Sequence, residues 1–289
     1  DEDAAIVRTL RNATVEGNPS EVRIEAISQL FGRDVGAALE VARQVIDSKS
    51  AKIPEKQAVV AALRGRNDPV SRKLLQELVE RLASRKLDAG LKLDVYDLAK
   101  ESADASVAAA LKKYLNPGAK VGLKMASPEI PYELLTDGGD AVRGKEIVNG
   151  HLGANCIACH RVDSEEGSEV GPMLRSVGGQ RTKAEIAESL VEPSAKIVAG
   201  FGLETVTMKD GTVYSGSVLK ESAKSLELRL PDGKILKLAP SAVASRTPPV
   251  SVMPPMLGIL TPAEIRDVVA YLSGLKPKAA KPKADKAKK

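Results

Sequence analysis

Along the first 115 positions apolar residues recur every three or four places, and Gly, Pro, Asn and Asp interrupt them at short intervals. Val22, Ala26, Ile27 and Leu30 share one stripe; Val70, Leu74, Leu75, Leu78, Val79 and Leu82 share another. Breaks at Gly17 to Pro19, Gly32 to Gly36, Pro54, Asn67 to Pro69 and Gly90 divide the region into helices of about 12 to 17 residues. The recurring openings NPSEVRIEAISQL and NDPVSRKLLQELVERL predict helices in pairs, stacked as a small antiparallel solenoid or gathered as a plain bundle. Either way the stripes are core, and no catalytic constellation is legible in this half.

From 116 to 136 the periodicity lapses and Pro117, Gly118, Pro128 and Pro131 collect, the composition of a linker. Helical signals resume at GGDAVRGKEIVNG, with Asp140 available as N-cap and Gly150 as the stop. KAEIAESLV (183–191) and PAEIRDVVAYLSG (262–274) predict two more helices, the last opened by Thr261 and Pro262. Between them, 203–245 alternates Val, Leu, Ile and Thr with polar residues. Asp210-Gly211 and Asp232-Gly233 mark two hairpin tips and Glu221 to Lys224 a third turn, so a four-stranded β insertion is expected.

Composition changes this picture at three points. The net charge of +5 comes from the tail 276–289, seven Lys and one Asp, which reads as a solvated, disordered Lys/Pro/Ala extension. Its other reading is peripheral contact with an anionic membrane surface. It has no aromatic residue to stack on a base, so nucleic acid is not expected as a partner. No apolar run approaches the roughly 20 residues of a transmembrane helix. The acidic start DEDAAIVRTL is no secretion signal and is compatible with one already removed.

The third point is the cysteine count. The chain has two Cys, three positions apart, in CIACH (156–160). In a CxxCH segment two thiols can add across the vinyl groups of haem while the adjacent imidazole reaches the iron from the same side. Zinc competes, but needs three or four ligands, and the chain could offer only Cys156, Cys159, His160 and His151. A redox disulfide competes too, although no βαβ pattern surrounds the pair. His151, five residues before Cys156, reads as a solvated or hydrogen-bonded side chain rather than an iron ligand.

Residues 138 to 274 resemble the class I c-type cytochromes in four further pieces: GDAVRGKEIV, VGPMLRSVGG, SVMPPM and EIRDVVAYLSGL. They are similar in particular to the haem-binding domain at the C-terminus of large planctomycete and verrucomicrobial proteins, where HEAT-like repeats commonly precede it. The resemblance implies one covalent haem c, with Cys156 and Cys159 as thioether donors and His160 as proximal ligand. Met253 would be the distal ligand, with Met256 its rival. Pro172 would pack on the proximal face, its segment offering a backbone carbonyl to the second nitrogen of His160, with Leu174 beside it. Gly144 and Tyr271 would mark a crossing of the first and last helices of the domain. Met125, Met173 and Met208 read as core.

The expected fold is mainly α. A helical, HEAT-like domain (1–115) and a linker (116–136) precede a cytochrome c domain (137–275) carrying a β insertion (203–245), followed by the tail. With only seven aromatic residues, a large planar cofactor would supply core volume. The expected function is electron transfer, from a dehydrogenase donor to a downstream redox protein, in the periplasm or another exported location. Two rival readings are a haem enzyme or small-ligand sensor with an open distal site, and a binding module whose haem is structural. The insertion would shield the haem edge, dock a partner, or add stability alone; a docking role predicts slower reduction by the native donor when 203–245 is deleted.

Overall fold

A computed structural model describes residues 2–116, 123–127, 130–162, 168 and 170–276. Helices predominate, yet a six-stranded antiparallel sheet makes the chain mixed α/β rather than mainly helical. The chain divides into two compact units, Asp1–Gly138 and Gly139–Lys289.

The first unit contains α1 (Glu2–Ala13), α2 (Ser20–Arg33), α3 (Val35–Asp47), α4 (Ile53–Ala62), α5 (Pro69–Ala83), α6 (Lys92–Glu101) and α7 (Ala105–Leu115). Asp34, Asp68 and Asp104 cap α3, α5 and α7 by accepting backbone N–H groups of the first turn, and Pro69 takes the first helical position of α5. α2 packs on α4 and α5 on α7. The two stripes supply core residues such as Ile27, Leu30, Leu78 and Val79, while Val22 and Val70, each within the first turn of its helix, remain exposed.

A charged cluster sits deep in this unit. Glu55 accepts from Arg23 Nη1 at 2.6 Å and from Ser20 Oγ at 2.8 Å, and Arg23 Nε donates to Thr14 O at 2.9 Å, so both charges are paired.

The stretch read as a linker is ordered where it is described. β1 (Met125–Ser127) and β2 (Ile130–Pro131) pair antiparallel, and a 3-10 turn (Tyr132–Leu135) buries Tyr132, Leu134 and Leu135. Glu133 ties this turn down, accepting from Tyr114 Oη at 2.7 Å beside Lys92 and Arg85. Burial alone would raise the Glu133 carboxyl; the Tyr114 hydroxyl and the Lys92 ammonium hold it below the usual range instead. Prolines masked this packing in the sequence. Pro117, Gly118 and Pro128 lie outside the described residues, as does nearly all of the tail (277–289).

In the second unit α8 (Ala141–Gly150) and α10 (Pro262–Gly274) cross, with α9 (Lys183–Val191) packed on α10. Asp140 caps α8, and capping boxes Thr182/Glu185 and Thr261/Glu264 open α9 and α10. The crossing depends on Gly144. A Cβ there would lie 2.0 Å from Asp267 O and 2.9 Å from Tyr271 Cβ, so only glycine allows the approach.

Between α9 and α10 run β3 (Gly202–Met208), β4 (Val213–Glu221), β5 (Leu226–Arg229), β6 (Ile235–Leu238), β7 (Val243–Arg246) and β8 (Val250–Ser251), in the order β6-β5-β4-β3-β7. β8 joins the same edge of β3 as β7, and a small core gathers around Val206, Leu226 and Leu228. The insertion thus has six strands, not four, and extends to Ser251. Strands of two and four residues beside Pro248 and Pro249 are too short for alternation to show.

Candidate functional site: a cavity around the CxxCH turn

α8 delivers the chain to this site and stops. His151 caps its C-terminus with the backbone N–H on Ile147 O, and the ring Nδ1 accepts from Ala154 N at 3.0 Å. Asn155 then adopts a left-handed conformation (φ 38°), which Asn tolerates better than most residues. A 3-10 turn (Cys156–Ala158) follows, with Cys159 N and His160 N both donating to Cys156 O at 3.2 and 2.9 Å. One tight turn therefore carries both thiols and the imidazole.

The segment 170–174 is laced onto that turn. Gly171 N donates to Cys159 O at 2.7 Å and Leu174 N to Arg161 O at 2.8 Å. His160 Nδ1 lies 2.7 Å from Pro172 O, a bond in which the ring N–H donates. That assigns the proton to Nδ1 and leaves the Nε2 lone pair uncommitted. Gly171 lies against the ring: a Cβ at 171 would come within 2.5 Å of His160 Cε1 and 3.0 Å of Nε2.

Cys156, Cys159, His160, Pro172, Leu174 and Met253 all line one cavity of about 330 Å³. Val148 of α8, Ile186 and Leu190 of α9, and Val268 and Leu272 of α10 give it an apolar wall, with Phe201 and Met256 further along. Gln180, Arg181 and Lys196 also line it, and the two cations share Glu185 Oε1 at 3.5 and 2.9 Å. The Thr182 backbone N–H, then Lys196 and the Thr182 hydroxyl, hold the Glu185 carboxyl down to about 2.

Both thiols are free. Burial pushes the Cys156 thiol up, away from the depressed values that make a CxxC thiolate a redox nucleophile. Among the described residues no three His, Cys, Asp or Glu side chains gather into a metal cage; His151 is engaged with Ala154 and does not line the cavity.

The two loop methionines differ. Met256 is 3% exposed and its backbone N–H donates to Leu190 O at 2.7 Å, so it is anchored to α9. Met253 is half-buried, its N–H on Ser251 Oγ at 3.1 Å. Met173, expected in the core, is 48% exposed and stands on the cavity lining, because the hydrogen bonds of 171 and 174 turn their backbone toward 159–161 and leave residue 173 outward. Phe201, Arg181 and Lys196 escaped the sequence reading: each lies outside the CxxCH and SVMPPM segments, and only folding brings them to the cavity.

Comparison of the chain with models of known protein families and with curated proteins returns no match.

Proposed function

We propose that the second unit is a c-type cytochrome domain that holds one covalent haem c and passes single electrons. What carries this reading is convergence: both thiols of the chain, an imidazole with Nδ1 committed to a carbonyl, and a thioether side chain line the same apolar cavity. The residues fit the group. Cys156 and Cys159 would each add S–H across a vinyl C=C, sulfur to one carbon and hydrogen to the other, with no leaving group. The raised Cys156 thiol suits a residue held as a neutral thiol until it is consumed.

His160 would offer Nε2 to the iron, while Pro172 O fixes the ring's tautomer and orientation and raises its basicity. Gly171 keeps the space beside that ring clear of a side chain. Met253 would offer a soft, neutral sulfur, which favours the ferrous state and raises the potential. Bound there, haem iron supplies one-electron oxidation and reduction. Pro172 and Leu174 would exclude water from the proximal face.

On the same reading the donor is a dehydrogenase, the acceptor another redox protein, and maturation occurs in the periplasm or an equivalent exported location. The first unit is then a HEAT-like module, a reading supported by α2 and α5, which both open at an Asn/Pro break and pack on the helix two places further along. Among the described residues no helix is long and apolar enough to cross a membrane.

The test is to mature the full chain in a host with haem-attachment machinery. Expected are a visible haem spectrum, an intact mass greater by one haem, and pigment that resists acid-acetone; a Cys156→Ala, Cys159→Ala variant should lose all three. Colourless wild-type protein with the mass of the bare polypeptide would overturn the proposal. Ferric protein without the red-end absorption band of Met ligation would favour the sensor or enzyme reading instead.

A further inference from the structure

The β insertion meets the cavity at its two ends, at Phe201 just before β3 and at Ser251 of β8. Gly202 pairs with Ser251 and Leu203 with Val250, so β8 is an added strand on β3 that ends two residues before Met253. Ser251 then acts twice. Its backbone N–H donates to Ser194 Oγ at 3.1 Å, and its own Oγ accepts the Met253 N–H at 3.1 Å. Close packing reinforces the seam, since a Cβ at Gly202 would lie 2.7 Å from Pro249 Cβ.

A second tether runs from the interior of the sheet. Arg229 of β5 donates from Nη2 to Gly200 O at 2.8 Å, and its guanidinium carbon lies 5.8 Å from the centroid of the Phe201 ring. Phe201 lines the cavity and directly precedes β3. The far end of the methionine loop is tied to α9 by Met256 N on Leu190 O. Met253 therefore sits in a short span clamped at 251 by the sheet and at 256 by a helix.

We infer that the insertion is the frame that holds Met253 at the cavity, with Ser251 and Arg229 as its positioning residues. Ser251 acts on the Met253 backbone; Arg229 acts through Gly200, Phe201 and the β3–β8 pairing. A thioether is a weak, neutral ligand, so its hold on a metal depends on how little freedom its backbone keeps. The frame reduces that freedom through the Met253 backbone. The part of this inference that concerns metal ligation rests on the haem reading; the clamping of the loop does not.

Two measurements test it on the full chain. In matured protein, the ferric red-end band is followed while pH is raised. Ser251→Ala and Arg229→Gln should lose it at a pH lower by about one unit, a tenfold weaker hold; Ser251→Thr, which keeps the hydroxyl, should restore the wild-type midpoint. Lys237→Ala, on the exposed edge strand β6, serves as the neutral control. In unloaded protein, hydrogen exchange at the Met253 amide should quicken roughly tenfold in Ser251→Ala, the factor that an ordinary hydrogen bond supplies.

A wild-type band with unchanged midpoints in both variants overturns the inference and leaves the haem reading standing. A wild type with no covalent pigment overturns the haem reading, and the exchange measurement then decides the clamp by itself: unchanged exchange in Ser251→Ala refutes it. Deleting the whole insertion would remove framing and any docking surface together, which point changes keep apart.

Discussion

The two units solve the same packing problem differently. In the first, helices meet through stripes of Leu, Ile and Val, and buried charges are answered by opposite ones, Arg23 by Glu55 and Lys56 by Asp88. In the second, helices meet through backbone: at Gly139, Gly144 and Gly178 a Cβ would lie within 2.3 Å of carbonyl oxygens of α10. The first unit spends its side chains on a continuous core; the second draws its helices together by omitting side chains and arranges apolar residues around a cavity of about 330 Å³. A site of that kind needs neighbours that cannot shift, and glycine contacts with backbone leave little room to shift.

Four changes probe this contrast. The largest effect is expected at Glu55. Glu55→Ala leaves the Arg23 guanidinium buried without its partner, and the first unit should lose about 3–5 kcal/mol, read as denaturant midpoint. Hydrogen exchange should quicken in α2 and α4 and hold steady in α8 and α10.

Gly144→Leu should reverse that pattern. The added atoms meet the Asp267 carbonyl and Tyr271, α8 and α10 are forced apart, and the loss of roughly 3 kcal/mol falls on the second unit. Exchange confined to α1–α7 would break the comparison.

Gly171→Ala is a smaller, more local change. Its methyl must displace the His160 ring, for a cost of about 2 kcal/mol, and the Nδ1–Pro172 hydrogen bond should weaken. The readout is the His160 Nδ1 resonance by NMR, against an unaltered resonance for His151.

The smallest effect concerns acid. Glu185 titrates at about 2 in the folded chain against 4.5 for an ordinary Glu, so its contribution is complete above pH 4.5 and is lost as pH falls toward 2. Glu185→Gln should flatten that part of the second unit's acid titration. The first unit has a parallel device: the Ser106 hydroxyl, then its backbone N–H, lower the Asp104 carboxyl at the start of α7. Acid should therefore weaken helix ends in both units, and a profile in which only one responds would separate them further.

The elements most legible in the sequence carried local punctuation. α8, α9 and α10 begin beside Asp140, Thr182 and Thr261 because a cap is a contact between residues two or three apart. The order of residues 130–135 was hidden, since prolines suggested a linker while Tyr132, Leu134 and Leu135 become buried by contacts far along the chain. β7 and β8 were hidden for a related reason. Each is defined by the edge of β3, some 40 residues earlier, and not by its own composition.

The grouping of two thiols and an imidazole at CIACH was legible from spacing alone, because residues within five positions of one another share one turn whatever surrounds them. Helix starts and hairpin tips are of the same local kind. Only the tertiary structure decided that Phe201, Arg181 and Lys196 join the cavity, that Met173 faces outward, and that the strand before Met253 is held by β3. Those relations are contacts between residues remote in the chain, and nothing short of the folded backbone specifies which remote residues meet.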